Sequence, residues 1–146
     1  MKKRFFASLL AFVMVSLWIV PASAGGITAD SVIYYEDGSY AVISICSEGF
    51  ARSSRDDHKT YTYYNSENQR CFAYTLYVKF TYDGVTSRAD SADFAVQIYR
   101  QGWDMSSHSE YVSGSTAYGR AAFTGPDGQT RSVSLTLTCD KNGTVT

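Results

Sequence analysis

The sequence predicts an all-β protein: a single antiparallel β-sandwich, immunoglobulin-like in outline, or a small barrel, preceded by a cleaved helical signal peptide. Three observations carry this reading. From Arg70 to Tyr82 (RCFAYTLYVKFTY) the even positions are Phe72, Tyr74, Leu76, Val78, Phe80 and Tyr82. A strand points successive side chains to opposite faces, so all six share one face, whereas a helix would scatter them. Tight-turn pairs recur at Asp37-Gly38, Asp83-Gly84 and Gly125-Pro126-Asp127-Gly128, where glycine allows positive φ and proline presets it. After residue 24 leucine is reduced to Leu76, Leu135 and Leu137, while all twelve tyrosines remain, a balance that favours sheet over helix.

The first 24 residues read as an export signal. Met1-Lys2-Lys3-Arg4 is basic, Phe5 to Val20 is apolar apart from Ser8 and Ser16, and Ala22 and Ala24 are the small residues read before a cut after Ala24. The apolar run of 16 residues is short of the roughly 20 that span a membrane, so no stable span is expected after processing. Residues 25–146 then form one domain of 122 residues, enough for a real core. Three of the thirteen basic residues leave with the signal, so ten face fourteen acidic ones and the formal charge is −4. Without a basic cluster, that balance argues against nucleic acid as a partner.

In order, residues 25–30 read as a loose lead-in, since a terminus with two glycines orders only if tied down. Ser31–Glu36 and Ser39–Cys46 flank Asp37-Gly38 as a hairpin. Ser47–His58 is charged and small and reads as the longest loop. Lys59–Ser66 is a strand leading into Arg70–Tyr82, which at 13 residues is long enough to require a bend, bulge or sheet crossing. Val85–Ala89 reads as a short edge piece, Ala92–Ile98 as a half-buried strand, and Gln101–Ser106 as a loop carrying Trp103. Ser107–Ser115 and Thr116–Thr124 are weaker strands. In Thr130–Cys139, Val133, Leu135, Leu137 and Cys139 point inward.

Three segments, KTYTYYNSENQ from Lys59, TYDGVTS from Thr81 and LTLTCDKNG from Leu135, resemble small secreted all-β proteins of Gram-positive, gut-type bacteria. The resemblance covers about half of residues 25–146 in strand-and-turn phrasing. It implies bacterial secretion and carries no activity and no site residue with it.

No residues are assigned to catalysis, cofactor or metal. His58 follows Asp56-Asp57 in what reads as a solvated charged loop, and a zinc site needs three or four ligands on rigid elements. His108 and Glu110 read as a surface pair. Serines are many, but none sits in a nucleophile elbow, and phosphate-loop and calcium-loop patterns are absent. Of the three cysteines, Cys139 is expected buried, Cys71 outward or under a covering loop, and Cys46 on a face the sequence does not orient. All three reduced is the first reading, and one bridge is the alternative.

The functional expectation is a secreted binding or interaction module for a protein or glycan. The alternatives are a small secreted hydrolase with an unrecognised site and a structural or inhibitor-like protein. Trp103, Tyr61 and Tyr63 are the candidate ligand contacts, because such rings pair an apolar face with a polar tip. The competing reading has tyrosine filling both faces and Trp103 plugging an open end.

Overall fold

Alternation and turn chemistry together produce eight strands, every neighbouring pair antiparallel. The structure, a computed structural model, describes the backbone of residues 27–48 and 53–146 and the side chains of 31–47 and 53–146. The expected export segment and the expected cut after Ala24 lie outside the described residues. The strands are β1 (Ile27–Tyr34), β2 (Tyr40–Glu48), β3 (Ser54–Tyr64), β4 (Arg70–Tyr82), β5 (Ser87–Ile98), β6 (Asp104–Ser113), β7 (Thr116–Thr124) and β8 (Thr130–Thr138). They form a five-stranded sheet, β1-β2-β3-β4-β5, and a three-stranded sheet, β6-β7-β8. Every strand lies beside its sequence neighbour, so the connectivity is two meanders. An immunoglobulin-like outline requires a Greek-key crossover, which this order lacks.

The strand β4 has the limits its alternation predicts, and its even face is the centre of the core. Phe72, Tyr74, Leu76, Val78, Phe80 and Tyr82 are all buried, whereas Tyr77, Lys79 and Thr81 are exposed. Phe123 of β7 stacks on Phe72 at 3.9 Å between ring centroids, and Val133, Leu135 and Leu137 of β8 close the same cluster. The two sheets therefore share one core. Gly119 makes the close approach possible, since a Cβ there would lie 2.8 Å from the Tyr74 hydroxyl and 3.0 Å from Leu76 Cδ1. Each large side chain taken out of water contributes about 1.5–3 kcal/mol.

Four readings are corrected, each for a physical reason. The lead-in is not loose from residue 27 on, because the backbone of Ile27–Ala29 pairs with Ser44–Cys46. Ser54–His58 is strand rather than loop, as each of its residues has a partner on β4. Its charges are tolerated because Arg55 and Asp57, both on the inner face, form an ion pair at 2.5 Å, and Arg55 also donates to the Gly143 carbonyl. Val85–Ala89 and Ala92–Ile98 belong largely to one strand, β5, whose register shifts opposite Lys79/Phe80. Finally, Cys71 is 0% exposed. The pairing jumps from Tyr63↔Phe72 to Tyr64↔Arg70, so Cys71 is the extra residue of a β-bulge and Arg70 takes its place on the outer face.

The bulge decides thiol chemistry. Cys71 and Cys139 are buried, and burial raises the pKa of both thiols, while Cys46 is half-buried on the outer face. All three are free, as the first reading had it. Brief alkylation of the native protein, read by peptide mass, is expected to label Cys46 well before Cys71 or Cys139. Prior labelling of Cys71 would mean that the bulge is misplaced.

Candidate functional site

The turns β1–β2, β3–β4, β5–β6 and β7–β8 all fall at one end of the molecule, and each is fixed by its own chemistry. In the first, Asp37 accepts from the Ser39 amide at 3.0 Å and from its hydroxyl at 2.5 Å. In the second, Asn65 Oδ1 accepts from the amides of Glu67 (3.1 Å) and Gln69 (2.9 Å), a side-chain turn that needs the short oxygen acceptor of Asn or Asp at that position. In the third, the Tyr99 and Arg100 amides donate to the Cys71 carbonyl at 2.9 and 3.1 Å, which anchors this turn to the bulge. In the fourth, the Gly125 amide donates to the Gln129 carbonyl at 2.8 Å.

Between these turns lies a cleft of about 310 Å³. Asp37, Asn65, Glu67, Arg100, Trp103 and Gln129 give it its character, with Tyr63 and Cys71 deeper in. Trp103 is half-buried, 5.0 Å from the Phe72 ring and 5.2 Å from Tyr63 by centroids. It therefore closes the end of the core with one part of its surface and lines the cleft with another. Gly125 allows this, because a Cβ there would lie 2.9 Å from the indole. Arg131 stands behind the cleft: it donates to the Tyr63 hydroxyl at 3.1 Å, pairs with Asp37, and lies over the Tyr35 and Tyr63 rings. Hydrogen bonds from Ser39, and then the Arg131 charge, hold the Asp37 carboxyl below the usual carboxylate range.

The three expected contact residues are thus treated differently. Trp103 and Tyr63 reach the cleft, but Tyr63 is only 2% exposed and Tyr61 only 3%. Tyr61 faces the core, bonded to the Tyr35 hydroxyl at 2.7 Å, with its pKa raised first by burial. Neither tyrosine can form an exposed platform. Another row of rings lies on the outer face: the exposed Tyr34 and the half-buried Tyr40 and Tyr64 line up across β1, β2 and β3, with Tyr40 and Tyr64 stacked at 4.8 Å. Arg70 continues the row, its guanidinium 5.8 Å from the Tyr64 ring and 4.9 Å from Tyr99. Position in the turns pointed to Trp103. Asp37, Glu67 and Arg100 were missed, because each is an ordinary turn residue until the topology brings four turns together.

The two histidines lie on different sheets, His58 on β3 and His108 on β6. His58 lies on β3, not in a loop, directly opposite Cys46 on one side and Tyr77 on the other. Its cleft is lined by Tyr77 and Asp93 but not by Cys46. His108 packs on Phe94 at 4.2 Å rather than pairing with Glu110. Glu110 turns inward instead, where its Oε2 and the Tyr74 hydroxyl are buried without a hydrogen-bond partner. Among the described residues no cluster of three metal-ligating side chains occurs, and no helix is long and apolar enough to cross a membrane.

Fold and cleft together define an all-β protein of two antiparallel sheets with a loop-built polar cleft at one end. No family model, curated protein or solved structure matches the chain.

Proposed function

We propose that this protein is a secreted β-sandwich binding module whose loop-end cleft takes a sugar residue of a glycan. The cleft itself carries the reading: an indole surface beside carboxylates, an amide and a guanidinium, all held by turns on a rigid sheet. A sugar ring offers an apolar face to an aromatic side chain and hydroxyls to fixed donors and acceptors, and Asp37, Asn65, Arg100 and Gln129 supply both kinds. A protein partner is the second reading, supported by the outer-face row of Tyr34, Tyr40, Tyr64 and Arg70, since tyrosine and arginine are enriched in interface hot spots.

Titration of the protein with a panel of neutral and acidic oligosaccharides is the test, followed by isothermal titration calorimetry. A saturable change, lost in Trp103→Phe and weakened in Asn65→Ala, is the expected result. Saturable binding that Trp103→Phe and Asn65→Ala leave intact moves the site away from the cleft. A flat response to the whole panel rejects the glycan reading.

A further inference from the structure

We propose that the outer face of the three-stranded sheet binds a sulfate or phosphate ester carried on a sugar ring, with the Arg120 guanidinium holding the oxyanion. Six arginines have described side chains, and four of them are engaged. Arg55, Arg88 and Arg131 pair with Asp57, Asp90 and Asp37, and Arg70 lies over the Tyr64 and Tyr99 rings. The guanidinium groups of Arg100 and Arg120 make no hydrogen bond or ion pair among the described residues, and each lines a depression. Arg100 belongs to the loop-end cleft. The depression at Arg120 shares no residue with that cleft, so either can bind without the other.

Strand alternation builds this second site. On β7, Ala117, Gly119, Ala121 and Phe123 are buried, so Tyr118, Arg120 and Ala122 face outward. The register sets Ser109 and Ser134 on either side of Arg120, and Ser107 and Ser132 on either side of Ala122. These residues line a shallow depression of about 500 Å³, which the small Ala122 side chain leaves open beside the guanidinium. The four serines are exposed, and their hydroxyls make no hydrogen bond to a described residue.

Charge and geometry select the ligand. The three strands carry two carboxylates, and neither reaches Arg120. Glu110 turns inward, and Asp104 is opposite Thr124, four residues along β7 and about 13 Å from Arg120. A guanidinium offers its donors in a planar fork that matches two oxygens of an anion. A carboxylate would be satisfied by the fork alone, whereas sulfate and phosphate carry further oxygens that the flanking serine hydroxyls can meet. The next outward position on β7 is Tyr118, about 7 Å along the strand and stacked on Tyr111 at 4.7 Å. A sugar ring attached to the oxyanion therefore meets an aromatic surface. Opposite Tyr118 is Thr136, whose carbonyl accepts from the Lys59 ammonium at 3.2 Å, a second cation beside the same face.

The test is titration of isotope-labelled protein with a glucose sulfate, a glucose phosphate, glucose itself and inorganic phosphate, followed by the magnetic resonance shifts of backbone amides and arginine side chains. Both esters are expected to move Ser109, Arg120 and Ser134 saturably, with dissociation constants of about millimolar. Glucose alone is expected to leave these signals in place, and inorganic phosphate to bind more weakly than the esters. Arg120→Gln is expected to weaken ester binding about tenfold. Arg88→Gln removes the same charge from β5 and is expected to change nothing. Three results overturn the proposal: no saturable shift at these residues with either ester, shifts that survive Arg120→Gln, or inorganic phosphate binding as tightly as its glucose ester. Arg120 is exposed, and circular dichroism checks that its variant folds. Should it unfold, the shift map of the unaltered chain decides.

Discussion

Phe72→Ala is expected to cost about 3–5 kcal/mol of unfolding free energy, the range for deleting a large aromatic ring from a packed core. Phe72 is fully buried and meets four rings: Phe123 at 3.9 Å, Trp103 at 5.0 Å, Tyr63 at 5.3 Å and Tyr61 at 6.1 Å. It joins the two sheets and also supports the indole of the cleft. No single neighbour can collapse into the space it would leave, because the four come from β3, β7 and the β5–β6 turn. Urea denaturation of the variant beside Thr81→Ala checks this. Thr81 is exposed on the opposite face of the same strand, so its loss is expected to cost well under half as much. Equal losses would place the wrong face of β4 inward.

Asp57→Ala is the second large effect, at about 3–5 kcal/mol. The Asp57 carboxylate is 0% exposed and accepts from Arg55 Nε and Nη2 at 2.5 and 2.7 Å. Removing it leaves a guanidinium whose side chain is 6% exposed bonded to the neutral Gly143 carbonyl but without its carboxylate counter-charge, and a buried charge that loses its counter-charge costs far more than the pair itself contributes. The double variant Arg55→Met/Asp57→Leu removes both charges and is expected to recover most of the loss. Comparison of the two by chemical denaturation separates this origin from simple loss of volume. A double variant no more stable than Asp57→Ala would show that the charges are not the cause.

How far the chain could be read in advance depended on whether one residue's neighbours in sequence were also its neighbours in space. The limits of β4, its inward face and the Asp37-Gly38 and Asp83-Gly84 turns are local patterns, and they were legible. Ser54–His58 was not, because its strand character comes from pairing with β4 and its charges from a partner two residues away on the same face. Of the two placements open to Cys71, the outward one fails because a bulge breaks the period of two without any glycine or proline to announce it. For the cleft, Trp103 stood out as a large ring among turn residues. Tyr61 and Tyr63 looked equally available, yet the second sheet covers both.

The meander order has a consequence for how the chain folds. Every hairpin closes through a turn of a few residues, so either sheet can grow strand by strand at small entropic cost. The contact of Phe72 with Phe123 is of another kind, closing a loop of roughly fifty residues before any core is gained. Docking of the two preformed meanders is therefore the expected slow step. Until it occurs, the apolar inner faces of both sheets stand open to solvent and to one another's copies.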